Sequence, residues 1–232
     1  MGYEWETLEG RIRIDLAKRV IRETMPDMVG KPVLDVGCRT GNFMSYMTSL
    51  GAVVYGVDLH KESLKIAAES NAGMRLICAD ATTDKLPIKN YNLVFAKDII
   101  EHLDEPVKLL NNMRAHQKQG GKIIIGTQNS LSLTYLIDGF YAFLSGNVWR
   151  GYSLDHKHFF SARKFDRILR ESGYKTLKYY STYHWPYLSV NKRLFGRYGE
   201  SIIYHGIDRL KLNAVWPFSI TGWWICVVGE AV

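Results

Sequence analysis

Between residues 31 and 127 the chain alternates short apolar runs with amphipathic stretches. Val33-Leu34-Asp35-Val36, Val53-Val54-Tyr55-Gly56-Val57, Met74 to Cys78, Tyr91 to Ala96 and Ile123 to Gly126 are rich in β-branched, aromatic and aliphatic residues. That is the composition of strands covered on both faces. The intervening segments 42–50, 61–70 and the stretch beginning at Pro106 repeat apolar positions at helical spacing, with Leu64, Ala67 and Ala68, and then Val107, Leu110 and Met113, expected to face inward. Gly51, Gly73 and the pair Gly120-Gly121 punctuate the pattern, the pair turning the chain into the fifth strand. Strict alternation of strand and helix calls for a parallel sheet with right-handed crossovers.

Either side of this region the pattern changes. Residues 4–25 read as a helix carrying Leu8, Ile12, Leu16, Val20 and Ile21 on one side, stopped by Pro26 and Gly30. Residues 128–160 hold Tyr135, Phe140, Tyr141, Phe143, Trp149 and Tyr152 without clear period and read as an irregular lid. Ser161 is placed to cap a helix with Phe165, Ile168 and Leu169 inward, followed by a sixth strand over Tyr174 to Ser181 and a seventh over 223–228. The whole chain, 1–232, is read as one domain: helix 1–30, core 31–182 with the lid 128–160, and an insertion 183–222 before the last strand. An insertion of that length is expected to contain helix of its own, around 188–212.

Composition narrows the class. With 232 residues and 47% hydrophobic content the chain is an ordinary globular protein, and its net charge of +7 is spread rather than blocked. Cys38, Cys78 and Cys226 are widely separated, which argues against a disulfide framework or a zinc motif and fits a reducing cytoplasm. Residues 3–24 mix acids and bases and hold no signal-peptide core, while the most apolar windows, 131–144 and 215–228, are too short to span a bilayer. A cytoplasmic monomer or homodimer is expected.

The strand at Val33 runs into Asp35-Val-Gly37-Cys38-Arg39-Thr-Gly41. A dinucleotide fingerprint starting at Gly37 fails at Arg39 and Asn42, and a phosphate loop fails at Asn42 and Phe43. What remains, D-x-G-x-x-x-G after a strand, resembles the first motif of the class I S-adenosylmethionine-dependent methyltransferases, with Arg39 where that family has its central glycine. Arg39 is expected to keep ordinary dihedrals with its side chain in solvent. Two further strands end in acids, Asp58 and Asp80, and ligands of open α/β sheets bind beyond the carboxyl ends of strands. The Leu86-Pro87 lead-in to the fourth strand is similar to the family's, with Asn92 for its usual Asp.

The resemblance implies a Rossmann-like seven-stranded sheet, parallel except for a reversed last strand. It also implies S-adenosyl-L-methionine as cofactor and S-adenosyl-L-homocysteine as product. Carried onto this sequence, cofactor-binding positions are Asp35, Gly37, Cys38, Gly41, Asp58, Leu59, Asp80, Ala81 and Lys97. Arg11 and Arg13, on the first helix, are expected to be surface residues.

On the acceptor side, His102 follows the fourth strand, and His156 and His158 alternate on an extended segment. His102 and His158 are the candidate catalytic bases, with Tyr183 and His184 as lesser ones. Asp98-Ile-Ile-Glu101-His102 is similar to the E-x-x-E-H segment of ubiquinone-biosynthesis O-methyltransferases, which can hold a divalent cation through oxygen-favouring ligands. No metal is assigned here. The expected reaction is methyl transfer to a small-molecule acceptor, to oxygen first. The alternatives are a membrane-surface enzyme acting on a lipid, quinone or lipid-linked sugar through the aromatic and basic stretch 183–217, and a non-catalytic cofactor-binding module. Nucleic acid is not expected as a partner, because no N/D-P-P-Y/F signature follows the fourth strand.

Overall fold

A computed structural model describes residues 8–70, 73–147, 155–182 and 210–232. The helix expected around 188–212, and the candidates Tyr183, His184, Trp149 and Tyr152, fall wholly or mainly outside the described residues.

The elements in order are α1 (Leu8–Thr24), β1 (Pro32–Val36), α2 (Asn42–Ser49), β2 (Val53–Asp58), α3 (Lys61–Ser70), β3 (Arg75–Cys78), β4 (Tyr91–Lys97), α4 (Pro106–Ala115), β5 (Gln117–Gln128), α5 (Leu133–Leu144), α6 (Ala162–Glu171), β6 (Tyr174–Thr182) and β7 (Trp224–Ala231). A 3₁₀ turn, Ile100–His102, follows β4, and a second one, Leu212–Ala214, and a short helix, Phe218–Thr221, precede β7. The strands form one seven-stranded sheet in the order β3-β2-β1-β4-β5-β7-β6. β7 is antiparallel to both its neighbours and the other pairings are parallel, as the resemblance implied.

Alternate residues of the central strands feed two cores. Leu34, Val36, Val94, Ala96, Ile123 and Ile125 pack under α4 and α6 with Leu109, Leu110, Met113, Phe165 and Leu169. Val33, Leu93, Phe95 and Ile124 pack with Leu16, Val20 and Ile21 of α1 and Met44 and Met47 of α2. This two-sided burial is why β1 and β4 read as nearly unbroken apolar runs. Ser161 caps α6 by accepting the Lys164 N–H.

Three expectations about local structure are corrected. Ala68 is exposed, because Leu64 and Ala67 already fill the narrow inward face of α3. The glycine pair does not precede β5 but interrupts it: Tyr91 pairs with Gln117 and Leu93 with Lys122, so the residues between form a bulge in which Gly120 has φ +71°. The stretch 128–160 is not irregular throughout, since α5 occupies Leu133–Leu144. Ser132 starts that helix in an extended conformation, accepting the Tyr135 N–H at 3.1 Å. Its apolar residues gave no inward period because many of them do not face inward. Leu136, Phe140, Phe143 and Leu144 are all exposed.

Candidate active site

Chain order reverses between β1 and β4: β2 and β3 extend the sheet on one side, β5 on the other. The carboxyl ends of these two strands therefore flank the crevice where open α/β sheets bind ligands. β1 leaves the sheet at Gly37 (φ +72°), whose N–H donates to the Val57 carbonyl at 2.8 Å, and α2 begins after Gly41 (φ +78°), whose N–H donates to the Cys38 carbonyl at 2.9 Å. Glycine is required at both. A Cβ on Gly37 would stand 3.0 Å from the Ile99 side chain, and one on Gly41 would stand 2.7 Å from the Met74 sulfur. Cys38 is buried beneath this turn, and burial pushes its thiol well above the usual range.

Arg39 does not keep ordinary dihedrals. It sits at φ +46°, in the left-handed region, although its side chain is in solvent as expected. The cause is the hydrogen bond of its own N–H, which donates to Asp58 Oδ2 at 2.8 Å while the His60 N–H donates to Oδ1 at 2.8 Å. Asp58 thus fixes the glycine turn and the β2 exit at once.

Asp35 is almost fully buried within β1, paired in register with Gly56 and Phe95. Burial, then the nearby Asp58 charge, pushes its carboxyl up to about 8, with Lys97 opposing. Asp80 is half-buried and closes a turn: Oδ1 accepts both the Thr82 N–H (2.8 Å) and hydroxyl (2.7 Å). Ala81 is buried, its carbonyl accepting from the Asn112 amide at 2.9 Å. Leu59 is 63% exposed on the same edge.

At the end of β4, Asp98 (φ +51°) is enclosed by donors. Trp224 Nε1 donates to Oδ1 at 2.7 Å, and Arg13 and Lys97 both donate to Oδ2. Burial alone would raise this carboxyl, but Lys97, Arg13 and the indole outweigh it and hold Asp98 below its ordinary value. Arg13 is therefore not a surface arginine. Its side chain is 15% exposed and its guanidinium lies 5.3 Å from the Trp223 ring centroid, whereas Arg11 is exposed. Sequence reasoning had no signal for this cluster, because its members come from α1, β4 and β7.

Beyond Asp98 the 3₁₀ turn meets the extended segment 155–158: the Glu101 carbonyl accepts the N–H groups of Lys157 (2.8 Å) and His158 (3.1 Å). His102 Nδ1 lies 3.3 Å from the Asp155 carbonyl oxygen, and its ring meets His156 edge-on at 4.8 Å. Burial, then the neighbouring His102, holds His156 below the usual imidazole range. His158 points elsewhere, with Nε2 3.0 Å from the Asp104 carbonyl oxygen. The two candidate bases thus flank one turn, but His102 pairs with His156 rather than with His158. Glu101 is buried, and its carboxyl is pushed up to about 8 by burial and then by the Asp98 charge.

Comparison with known proteins gives a consistent picture. A family model for the methyltransferase domain matches residues 9–179. The ubiquinone biosynthesis O-methyltransferase of Vibrio campbellii is 30% identical over 146 residues, covering 59% of this chain and 62% of that protein. The protein of the same name from Thiobacillus denitrificans is 27% identical over 161 residues, covering 66% and 68%. The chain thus spans only about three fifths of the length of the Vibrio relative. Among solved structures, an S-adenosylmethionine-dependent methyltransferase from Mesorhizobium loti superposes with TM-score 0.62 at 16% identity, covering 92% of this chain and 97% of that one. Magnesium protoporphyrin IX methyltransferase from Synechocystis, solved with bound SAH, gives 0.65 at 12% identity, covering 96% and 85%.

Proposed function

The chain belongs to the methyltransferase domain family, of the class I S-adenosylmethionine-dependent type, and from that premise we propose that it transfers the sulfonium methyl group to a hydroxyl oxygen of a small molecule. The observation that carries this reading is the convergence of the Gly37–Gly41 turn, Asp35 and Asp58 at the β1/β4 crevice.

Each side chain there suits one part of the cofactor. Asp58 uses one lone pair of each oxygen on Arg39 and His60, which leaves a second on each for the two ribose hydroxyls. Asp80 keeps Oδ2 for the adenine amino group, the Ala81 N–H faces the ring edge, and the exposed Leu59 offers an apolar surface to its face. Asp35 takes the ammonium of the methionine part, where the ligand's positive charge favours its ionised form. Lys97 supplies positive potential for the methionine carboxylate, and the backbone of Gly37, Cys38 and Gly41 lets the chain approach closely.

The chemistry is an in-line displacement. An acceptor oxygen lone pair forms the new bond to the methyl carbon, the carbon–sulfur pair returns to sulfur, and the acceptor proton passes to a base. Orientation can supply roughly 7–11 kcal/mol of the barrier and a general base about 10²–10⁴-fold. His102 and His158 are our candidates for that base. The names of the relatives in ubiquinone biosynthesis support oxygen as the acceptor atom.

The test is incubation of the protein with methyl-labelled cofactor and fractionated extract. Label is expected in a small molecule and is expected to vanish with Asp58→Ala. Label appearing in RNA or protein instead would sink the acceptor assignment. Unchanged transfer by both His102→Ala and His158→Ala would remove the base assignment.

A second reading, action at a membrane surface on a lipid or quinone, is favoured by one observation. Leu136, Phe140, Phe143 and Leu144 recur at i, i+4, i+7 and i+8 on α5 and are 53%, 62%, 75% and 66% exposed. Leu210, Val215 and Trp216, the described part of the aromatic stretch, are exposed as well. An outward apolar stripe on a helix is the geometry of interfacial binding. No helix among the described residues is long and apolar enough to cross a membrane.

A further inference from the structure

Glu101, His102 and His156 each present a ligand atom within 4.8 Å of the other two. We propose that these three residues bind one divalent transition-metal ion of the zinc type, and that Asp98 takes no part. The resemblance pointed to a different set, Asp98, Glu101 and His102, suited to an oxygen-loving cation. That set does not converge here. The Asp98 carboxylate is already claimed by the indole of Trp224 and the cations of Arg13 and Lys97.

Three observations support the substituted set. Glu101 is 2% exposed, yet its Oε2 makes no hydrogen bond of normal geometry among the described residues, with the Thr127 hydroxyl and the Glu101 N–H as the nearby donors. A buried carboxylate oxygen normally has one, and a cation is the partner that would satisfy it. His102 places Nδ1 against the Asp155 carbonyl. With the proton held there, Nε2 keeps its lone pair, which is how metal-binding imidazoles are usually oriented, and a His102 engaged in this way leaves His158 as the candidate base. Finally, His156 comes from a segment fixed by the hydrogen bonds of Lys157 and His158 to the Glu101 carbonyl, so the third donor is delivered by the same contact that seats the first.

Two imidazoles and one carboxylate prefer Zn²⁺, Co²⁺ or Ni²⁺ to Mg²⁺, which takes oxygen donors in octahedral geometry. Ligand atoms about 2.1 Å from a tetrahedral ion lie about 3.4 Å apart, so the imidazoles must swing inward by about 1 Å. Both rings are only half-buried and have room to do so. Three protein ligands leave a fourth position open, as in sites that accept water or a substrate oxygen.

The experiment uses the full chain stripped with a chelator and titrated with Co²⁺, following its visible d–d absorption, then displaced by Zn²⁺ and challenged with Mg²⁺. One equivalent of cobalt is expected in a four-coordinate spectrum, displaced by zinc and indifferent to millimolar magnesium. Glu101→Gln and His156→Gln are each expected to weaken binding by tenfold or more, and Asp98→Asn by less than threefold, with melting curves confirming that each variant folds. His102→Gln serves as the second ligand variant if Glu101→Gln does not fold. Absence of stoichiometric cobalt binding overturns the proposal. So does binding that survives loss of His156, binding that needs Asp98 equally, or displacement by magnesium. Because metal is read by absorption without any acceptor, failure here leaves the methyl-transfer reading standing, and the converse holds.

Discussion

Replacing Arg39 by glycine should make the protein more stable without altering its contacts. Arg39 is held at φ +46° with its side chain in solvent, a conformation that costs a non-glycine residue roughly 1–2 kcal/mol. Glycine removes that cost but adds freedom to the unfolded chain, worth about 0.4–1 kcal/mol. The net expectation is a gain near 1 kcal/mol, or about 2–4 °C in melting temperature for a chain of this size. Arg39→Ala is the control. It removes the guanidinium but keeps the strain, and as a surface change should stay within about 0.5 kcal/mol of the parent. In all three proteins the N–H of residue 39 still donates to Asp58. Urea and thermal unfolding of the cofactor-free proteins, with cofactor affinity measured by calorimetry, decide the matter. A glycine variant that melts at or below both the parent and the alanine variant would refute the strain argument. A large loss of affinity in the alanine variant would refute the claim that the side chain only faces solvent.

Other substitutions probe other parts. Asp35→Asn should abolish cofactor binding yet stabilise the empty protein above neutral pH. With its carboxyl raised to about 8 in the fold, the native state holds the proton that the unfolded chain loses near 4, so stability falls as pH rises between those values. The asparagine variant should lose that slope, about 1.4 kcal/mol per pH unit, in a denaturation series from pH 5 to 8. Gly126→Ala should cost about 3 kcal/mol or more or prevent folding, since a Cβ there would stand 2.1 Å from the Trp224 ring. Phe140→Ser with Phe143→Ser should leave unfolding curves nearly unchanged but reduce co-sedimentation with anionic liposomes. If the parent shows no enrichment over a control protein, the membrane reading falls.

The parts of this molecule that were legible in the sequence are those governed by local rules. β1 and β4 announced themselves because two cores press on alternate residues, and Gly37, Gly41 and Asp58 because a tight turn and a strand end restrict what can stand there. The conformation of Arg39 was illegible for the opposite reason: an acceptor from another strand, Asp58, imposes it. Arg13 looked like any helix-surface arginine until α1 laid it against Asp98 and Trp223. α5 escaped notice because inward period is the usual mark of a helix and Leu136, Phe140, Phe143 and Leu144 face outward. Glu101 and His102 were visible, but His156 joins them only through a backbone pairing that no spacing encodes.

The position of β7 bears on how the protein is made. It lies between β5 and β6, hydrogen-bonded along both, and from it Trp224 reaches Asp98 beside the crevice. On a ribosome the strands through β6 emerge first, yet among the described strands β6 has no neighbour to join until β7 arrives, and β5 waits with an open edge. A nascent chain halted before Trp224 would therefore carry the full glycine turn and both strand-end acids while still lacking a closed sheet. Its exposed edges would invite chaperones or other chains, and cofactor binding is expected to appear only after the last strand slots home.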